Sequence, residues 1–334
     1  MVHETRVYQC SDPKDRIYAI INATTEKSPV KRGLTVDYSL DVGELYRRFV
    51  VWDIMKNHSL TTLSIISDKS NTDWGLPSWV PDFSNANLRY FLPDYFFTFD
   101  ATDSSVPEAR ISPDGQTLML KGKRIDAVKR IARTQYPGQL LRLPDGKLDM
   151  ENVERQREWL RECVDIAIED HAADEKALSP SFRYWESIRT WGMSDERWPR
   201  FWRTMIWGHT LTGVKANILY GSWFRSYGAY INANLEDVKV SSRRSIAEDL
   251  IETSFVISLL YRKFCSTRNG SIGWLPRGAQ VGDVICVLYG GKVPFVLRPR
   301  DGGYEFVGDA YVYGMMDGEA LVVGGAPDEE FALI

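Results

Sequence analysis

Asp283-Val-Ile-Cys-Val-Leu-Tyr289, then Gly290-Gly291, then Lys292-Val-Pro-Phe-Val-Leu-Arg298 is the stretch on which the fold turns. Two apolar, β-branched runs flank a Gly-Gly pair. That is the signature of a two-residue hairpin, because turns that match strand twist need positive φ at their centre. Pro294 has no N–H for a ladder, so the second strand is expected to keep an open side there. Asp301-Gly302-Gly303 turns the chain into Tyr304–Val307, and Gly308-Asp309 turns it again before Ala310–Tyr313. Residues 264–334 thus read as a small antiparallel β meander.

Upstream the period becomes helical. Apolar stripes recur at 151–170 (Val153, Leu160, Val164, Ala167), 195–209 (Trp198, Phe201, Trp202, Met205) and 243–263 (Ile246, Leu250, Ile257). The turn-rich run Pro137–Asp149 separates this helical middle, 141–263, from a first region, 1–140. In that first region Asp12-Pro13-Lys14-Asp15 reads as a helix start, with Ile17, Ile20 and Ile21 on one face and a helix over 12–21. Asp41 with Glu44 has capping-box spacing, and Val42, Leu45, Phe49 and Trp52 give a second helix over 41–57. Two prolines make Asp73–Phe83 irregular, Asn85–Pro113 is loop-like, and Thr117–Lys121 reads as a strand with Leu118 and Leu120 on one face. The fold class is α+β: an α/β first region, a helical middle and a C-terminal meander.

The 334 residues are 44% hydrophobic and 26% charged, an ordinary globular composition with length for about two domains. A net charge of −4 offers no overall basic field, so nucleic acid is not an expected partner. No apolar run reaches the roughly 18 residues of a membrane span, and the first fifteen residues lack a secretory core, so a cytoplasmic protein is expected. Cys10, Cys163, Cys265 and Cys286 form no metal or disulfide pattern and read as reduced, packed thiols. Eleven tryptophans point either to a large aromatic core or to a binding face.

No P-loop, H-E-x-x-H or G-x-S-x-G is present, and Ser11-Asp-Pro-Lys14 fits S-x-x-K only across a helix start. His3, His58, His171 and His209 have no metal-ligand spacing, so neither metal nor cofactor is expected. Asp317 and Glu319 lie in a Gly-bounded turn and suit either an acid/base pair or solvated turn chemistry. Arg298, ending an apolar strand, suits an anion clamp or an ion pair with a nearby acid. Trp74 and Trp79 around Pro77 suit a ligand wall or packing beneath a rigid loop.

Cys10-Ser-Asp-Pro-Lys-Asp-Arg-Ile-Tyr-Ala-Ile20, Val36-Asp-Tyr-Ser39, Glu44-Leu-Tyr46 and Leu76-Pro-Ser-Trp-Val-Pro-Asp-Phe83 resemble, in this order, the later part of the fungal heterokaryon incompatibility (HET) domain. Phe264-Cys-Ser-Thr267, Gly270-Ser-Ile-Gly273, Gly282–Leu288, Val293–Arg298 and Val307–Glu319 resemble the tail of the same proteins, with Tyr313 where that tail often has His. The Tyr-x-x-Leu-Ser-Tyr-x-Trp-Gly-like strand that opens the family's domain has no match, so the resemblance implies a HET protein without its front half. It further implies non-self recognition and cell-death signalling through protein partners, without catalysis. The alternative is an enzyme or accessory protein of a fungal secondary-metabolite pathway that binds an apolar small molecule. The family-matching residues least explained by core periodicity, Trp79 and Asp82 of the Pro-rigid loop with Arg298, Asp317 and Glu319 of the tail, form the expected binding surface. A missing opening strand would leave the Ile17/Ile20 and Leu45/Phe49/Trp52 faces partly bare, and self-association is expected from that.

Overall fold

A computed structural model describes residues 10–23, 34–65, 74–85, 99–138, 148–168, 196–210, 212–232, 246–322 and 326–334. Its helices are α1 (Asp15–Ala23), α2 (Val42–Asn57), α3 (Met150–Ile168), α4 (Arg197–Met205), α5 (Ile218–Asn232), α6 (Ile246–Leu259) and the single turn α7 (Glu319–Val322). The strands are β1 (Ala109–Ile111), β2 (Leu118–Ile131), β3 (Arg262–Thr267), β4 (Ile272–Pro276), β5 (Val284–Leu288), β6 (Phe295–Arg300), β7 (Gly303–Asp309), β8 (Tyr311–Val312) and β9 (Asp328–Leu333). The class is α+β.

The meander does not end as an open sheet. β5 pairs with β6, β6 with β7, and β8, which prolongs β7 past Ala310, pairs with β4. β4 pairs with β3, β3 with the far end of β2, and β2 with β5, which closes the ring. Six strands of the ring each send a residue into one buried cluster, Val128, Cys265, Leu275, Ile285, Val296 and Val312, and Val307 of β7 packs against it. That cluster is the barrel interior. Closure removes the free edges that an open meander would present. β9 lies along the other side of β2, from Leu118 paired with Leu333 to Lys123 paired with Asp328, and touches β7 in a short parallel bridge at Tyr304.

β2 is far longer than the Thr117–Lys121 strand expected, and it is buried in alternation at Leu118, Leu120 and Gly122. Register shifts at Arg124/Asp126 and Val128/Arg130 bend it, as bulges do, so one strand serves β9 and β5 in its first half and β5 and β3 beyond. Gly122 lies where the backbones come closest: a Cβ there would sit 2.1 Å from the Val287 carbonyl oxygen. The β5–β6 hairpin forms, but its connection corrects the two-residue reading. Val287 and Leu288 pair with β2 instead of β6, and residues 289–294 make the link. Gly290 has φ +83° within a turn closed by the Gly291 N–H on Leu288, and a Cβ on it would strike Pro107 at 2.3 Å.

Asp41 caps α2 by accepting from the Glu44 N–H at 2.7 Å, whereas the Glu44 carboxylate pairs with Arg47 and Arg48 instead of completing a capping box. Ile17, Leu45 and Phe49 are buried, with Phe83 set edge-on against both Tyr46 and Phe49. The faces expected to be bare are therefore covered from within the chain; Trp52 is partly buried on the same core, and the Ile20 side chain lies outside the described residues. Helix α5 had no counterpart in the sequence reading. Trp159, Phe224, Tyr227 and Phe255 join α3, α5 and α6 through ring contacts, edge-to-face at Trp159–Phe255 and Tyr227–Phe255 and tilted at Phe224–Phe255, and Trp274 of β4 donates to the Thr204 carbonyl at 2.7 Å, seating α4 on the barrel. Trp79, Trp159, Trp198, Trp202, Trp207 and Trp274 are fully buried, so these tryptophans are core.

Glu162 of α3 accepts the Arg133 and Thr134 N–H groups just beyond β2, at 2.8 Å each. Burial raises its pKa, but the hydrogen bonds from Arg133 and Thr134 and the Arg130 charge outweigh burial and hold it below its ordinary value. A carboxylate depressed in the folded state contributes stability above its unfolded pKa, about 4.3, and loses it as pH falls through the folded value. Glu162→Gln is thus expected to lower the melting temperature at neutral pH and to leave it little changed at low pH, where the native carboxyl is already protonated, so that the profile flattens. Gly122→Val is expected to destabilise by about 2–3 kcal/mol, read by urea unfolding, because the added atoms meet backbone. Gly278→Ala, where the nearest atom to the new Cβ is 4.0 Å away, serves as the neutral comparison.

Candidate functional site

The loop before residue 85 meets the tail through Ser78. Its N–H donates to the Ile334 carbonyl at 3.0 Å, and its hydroxyl accepts from the Phe306 N–H at 2.8 Å. Within that loop Trp79 is fully buried and donates Nε1–H to the Gln116 carbonyl at 2.9 Å. Asp82 closes a local turn, accepting from the Ser84 N–H at 2.9 Å and the Ser84 hydroxyl at 2.7 Å.

Arg298 forks onto Asp283, Nε to Oδ1 and Nη2 to Oδ2, both at 2.9 Å. Nη2 also donates to the Gly278 carbonyl at 2.7 Å, and Glu305 stands 3.8 Å from Nη1. The Asp283 side chain is 3% exposed and that of Arg298 13%, so this is a buried ion pair between β6 and the start of β5. Asp317 and Glu319 come together differently: Glu319 accepts the Asp317 N–H at 2.7 Å, and Asp317 pairs with Lys215 at 2.9 Å. That hydrogen bond holds the Lys215 pKa above its usual value. Among the described residues no ion pair joins Arg298 to Asp317 or Glu319.

Beside this tail loop opens a cleft of about 780 Å³, lined among the described residues by Glu196, Arg197, Pro199, Arg200, Arg203 and Tyr313. Its wall follows from the sequence of α4. Trp198, Phe201, Trp202 and Met205 are buried on one face, which leaves Arg197, Arg200 and Arg203, three residues apart, as a basic row on another. Arg200 donates to the Gly270 carbonyl in the β3–β4 turn, and the Arg203 guanidinium carbon lies 4.8 Å from the Trp202 ring centroid. The apolar stripe of α4 was plain from spacing. The arginine row is its complement in the same nine residues and was the available signal for the cleft.

Other chemistry is sequestered. Cys163, Cys265 and Cys286 are buried, and burial pushes all three thiols up, away from the thiolate that a nucleophile needs. His209 is buried, with Nδ1 2.9 Å from the Trp207 carbonyl and its ring edge-on to Phe99. Among the described residues no group of three or more His, Cys, Asp or Glu is placed to hold a metal, and no helix is long and apolar enough to cross a membrane.

A closed small barrel, backed by an aromatic helical layer and threaded by a strand from far upstream, defines the class of protein. Residues 222–334 match the family described as the Het-6 beta-barrel domain. A curated relative, heterokaryon incompatibility protein 6, OR allele, of Neurospora crassa, is 39% identical over 72 residues. Those residues are 20% of this chain and 10% of that protein, so the match spans about a tenth of the relative's length. No solved structure matches the chain. The C-terminal third of the chain is thus similar to the Het-6 beta-barrel domain. β2, the strand that closes the ring, lies outside the matched residues.

Arg298→Ala is expected to destabilise by about 3–5 kcal/mol in urea unfolding, because it strands the Asp283 carboxylate in the protein. The double variant Arg298→Met/Asp283→Leu, which removes both charges and restores apolar volume, is expected to recover most of that loss.

Proposed function

We propose that this chain acts in heterokaryon incompatibility, through contact with a protein of the opposing strain in the cytoplasm of fused hyphae, and that this contact signals cell death without a catalytic step. The Het-6 barrel match over residues 222–334 carries the reading. The name of the Neurospora crassa relative, a heterokaryon incompatibility protein, supports the same biology. The geometry favours contact over catalysis: Arg298 is committed to Asp283, Asp317 to Lys215, Trp79 to Gln116, and three thiols are buried. Groups committed in this way hold the fold together and are not free for chemistry. They leave the reading of an apolar-metabolite enzyme with less support, since the large aromatic residues pack on one another instead of lining an apolar cavity.

The test is expression of the chain in one of two otherwise compatible filamentous-fungal strains, followed by fusion and scoring of dye-permeable compartments. A rise in dead compartments above the empty-vector fusion, lost with Gly122→Val, is the expected result. Viability equal to the empty vector at matched protein level removes the proposal. A changed metabolite profile in a deletion strain with normal fusion would favour the biosynthetic reading.

A further inference from the structure

We propose that Ser112, in the turn between β1 and β2, is a phosphorylation site for a proline-directed serine/threonine kinase, and that its phosphate loosens the hold of residues 74–85 on the barrel. This inference stands on the turn and is independent of the incompatibility reading. The first observation is the local sequence. Ser112-Pro113 is the one Ser-Pro or Thr-Pro pair among the described residues. It opens the four-residue turn Ser112-Pro113-Asp114-Gly115, in which the Gly115 N–H donates to the Ser112 carbonyl at 2.9 Å. Pro113 and Asp114 are exposed and Ser112 is half-buried, so the proline that such a kinase reads stands in solvent beside the acceptor.

The second observation is what the hydroxyl does. Ser112 Oγ donates to the Asp114 carboxylate and accepts the Thr117 N–H at 2.9 Å. The same carboxylate oxygen accepts the Gln116 N–H at 3.1 Å. Those two hydrogen bonds hold the Asp114 pKa below its ordinary value, so the group is an anion at neutral pH. Transfer of the γ-phosphoryl group of ATP breaks the Ser112 Oγ–H bond and the bond from the γ-phosphorus to the bridging oxygen. It forms an Oγ–P bond and releases ADP, with the hydroxyl proton passing to the kinase. The ester oxygen then has no proton for Asp114, and about 1.5–2 negative charges stand beside that carboxylate, which disfavours the closed turn. Arg47, whose charge reaches Asp114, is already paired with Glu44.

The third observation is where the turn leads. Gln116, whose N–H is held by Asp114, offers its carbonyl to the indole N–H of the fully buried Trp79 at 2.9 Å. Next to Trp79, Ser78 donates to the Ile334 carbonyl and accepts from the Phe306 N–H of β7. Just past the turn, Leu118 pairs with Leu333 of β9. An opened turn therefore acts on Trp79 directly and, through Ser78, on β7 and the residues after β9. A charge added at an exposed tip becomes slack between residues 74–85 and the barrel.

The experiment treats the purified full chain with ATP and a recombinant mitogen-activated protein kinase, and separately with a cyclin-dependent kinase, and maps phosphate by mass spectrometry. Phosphate on Ser112 is expected, lost in Ser112→Ala and also in Pro113→Ala, which keeps the hydroxyl. No phosphate on Ser112 with either kinase overturns the proposal, whichever other serine is modified. Equal modification of Pro113→Ala overturns the proline-directed reading. Hydrogen–deuterium exchange then compares the phosphorylated with the unphosphorylated protein. Amides of residues 74–85 are expected to exchange about tenfold faster after phosphorylation, equivalent to about 1.4 kcal/mol, while those of Met150–Ile168 stay unchanged. Unchanged or slower exchange over 74–85 overturns the loosening. Equal acceleration of both segments, the mark of global unfolding, overturns it as well.

Discussion

The backbone ladder along Leu118–Ile131 is the constraint on which this molecule depends. A strand has two hydrogen-bonding edges, and here both are used along most of the length: β9 and then β3 on one side, β1 and then β5 on the other. Without it β3 and β5 would be edges, β9 would lose its long partner, and Val128 would leave the interior cluster. Buried backbone groups left without partners are costly, so this one strand turns a meander into a closed body. The price is local geometry: two register shifts and one glycine, Gly122, at which the backbones nearly touch.

Closure fixes where everything else packs. β5 is buried at all five positions, its Cys286 and Leu288 facing the main core and its Ile285 the barrel interior. That double burial explains its unbroken apolar run. The Arg262–Asp309 pair, with side chains 6% and 7% exposed, ties the start of β3 to the end of β7, and Trp207 lies 5.3 Å from the guanidinium carbon. A buried pair of this kind adds little net stability, but removing one partner is expensive, so it holds the strands in one arrangement. Trp274 then carries that arrangement outward to α4, because its indole N–H ends on the Thr204 carbonyl.

Local patterns were legible in the sequence wherever one face of an element is wet. Val42–Asn57 has its Asp41 cap and its apolar stripe, and Leu118 and Leu120 alternate as a half-buried strand should. The length of β2 was hidden, because beyond Lys121 its alternation is broken by bulges and by charged residues that pair across strands. The hairpin was legible as a hairpin and misread at its turn: Gly290 is required by Pro107, distant in sequence, and Gly291 by the Phe295 ring and the Leu288 carbonyl, not by a tight two-residue loop. Of the expected surface, Asp317 and Glu319 do adjoin, while Arg298 is directed to Asp283, a partner fifteen residues away that no spacing rule selects. The arginine row of α4 was visible as the remainder of an apolar stripe, but only the fold shows that it faces a cavity.

Charge takes two distinct roles in this structure. Along β2 and β9 it sets register: Lys123 faces Asp328 at 3.0 Å, Arg124 faces Glu329 at 3.1 Å, and Arg110 of β1 reaches across to Glu330. Each exposed pair is worth at most about 1 kcal/mol, too little to hold a barrel shut. A slip of one residue, however, would turn Leu118 and Leu120 outward and set charges inward at once, so pairs and pleat select the same alignment. On α4 the apolar face decides where the charges stand: with Trp198, Phe201, Trp202 and Met205 buried, Arg197, Arg200 and Arg203 lie three residues apart along the wall of the cleft. The apolar face thus does more than bury surface: because four apolar residues of its nine are held in the core, it also fixes which side of the helix its arginines present to the cleft.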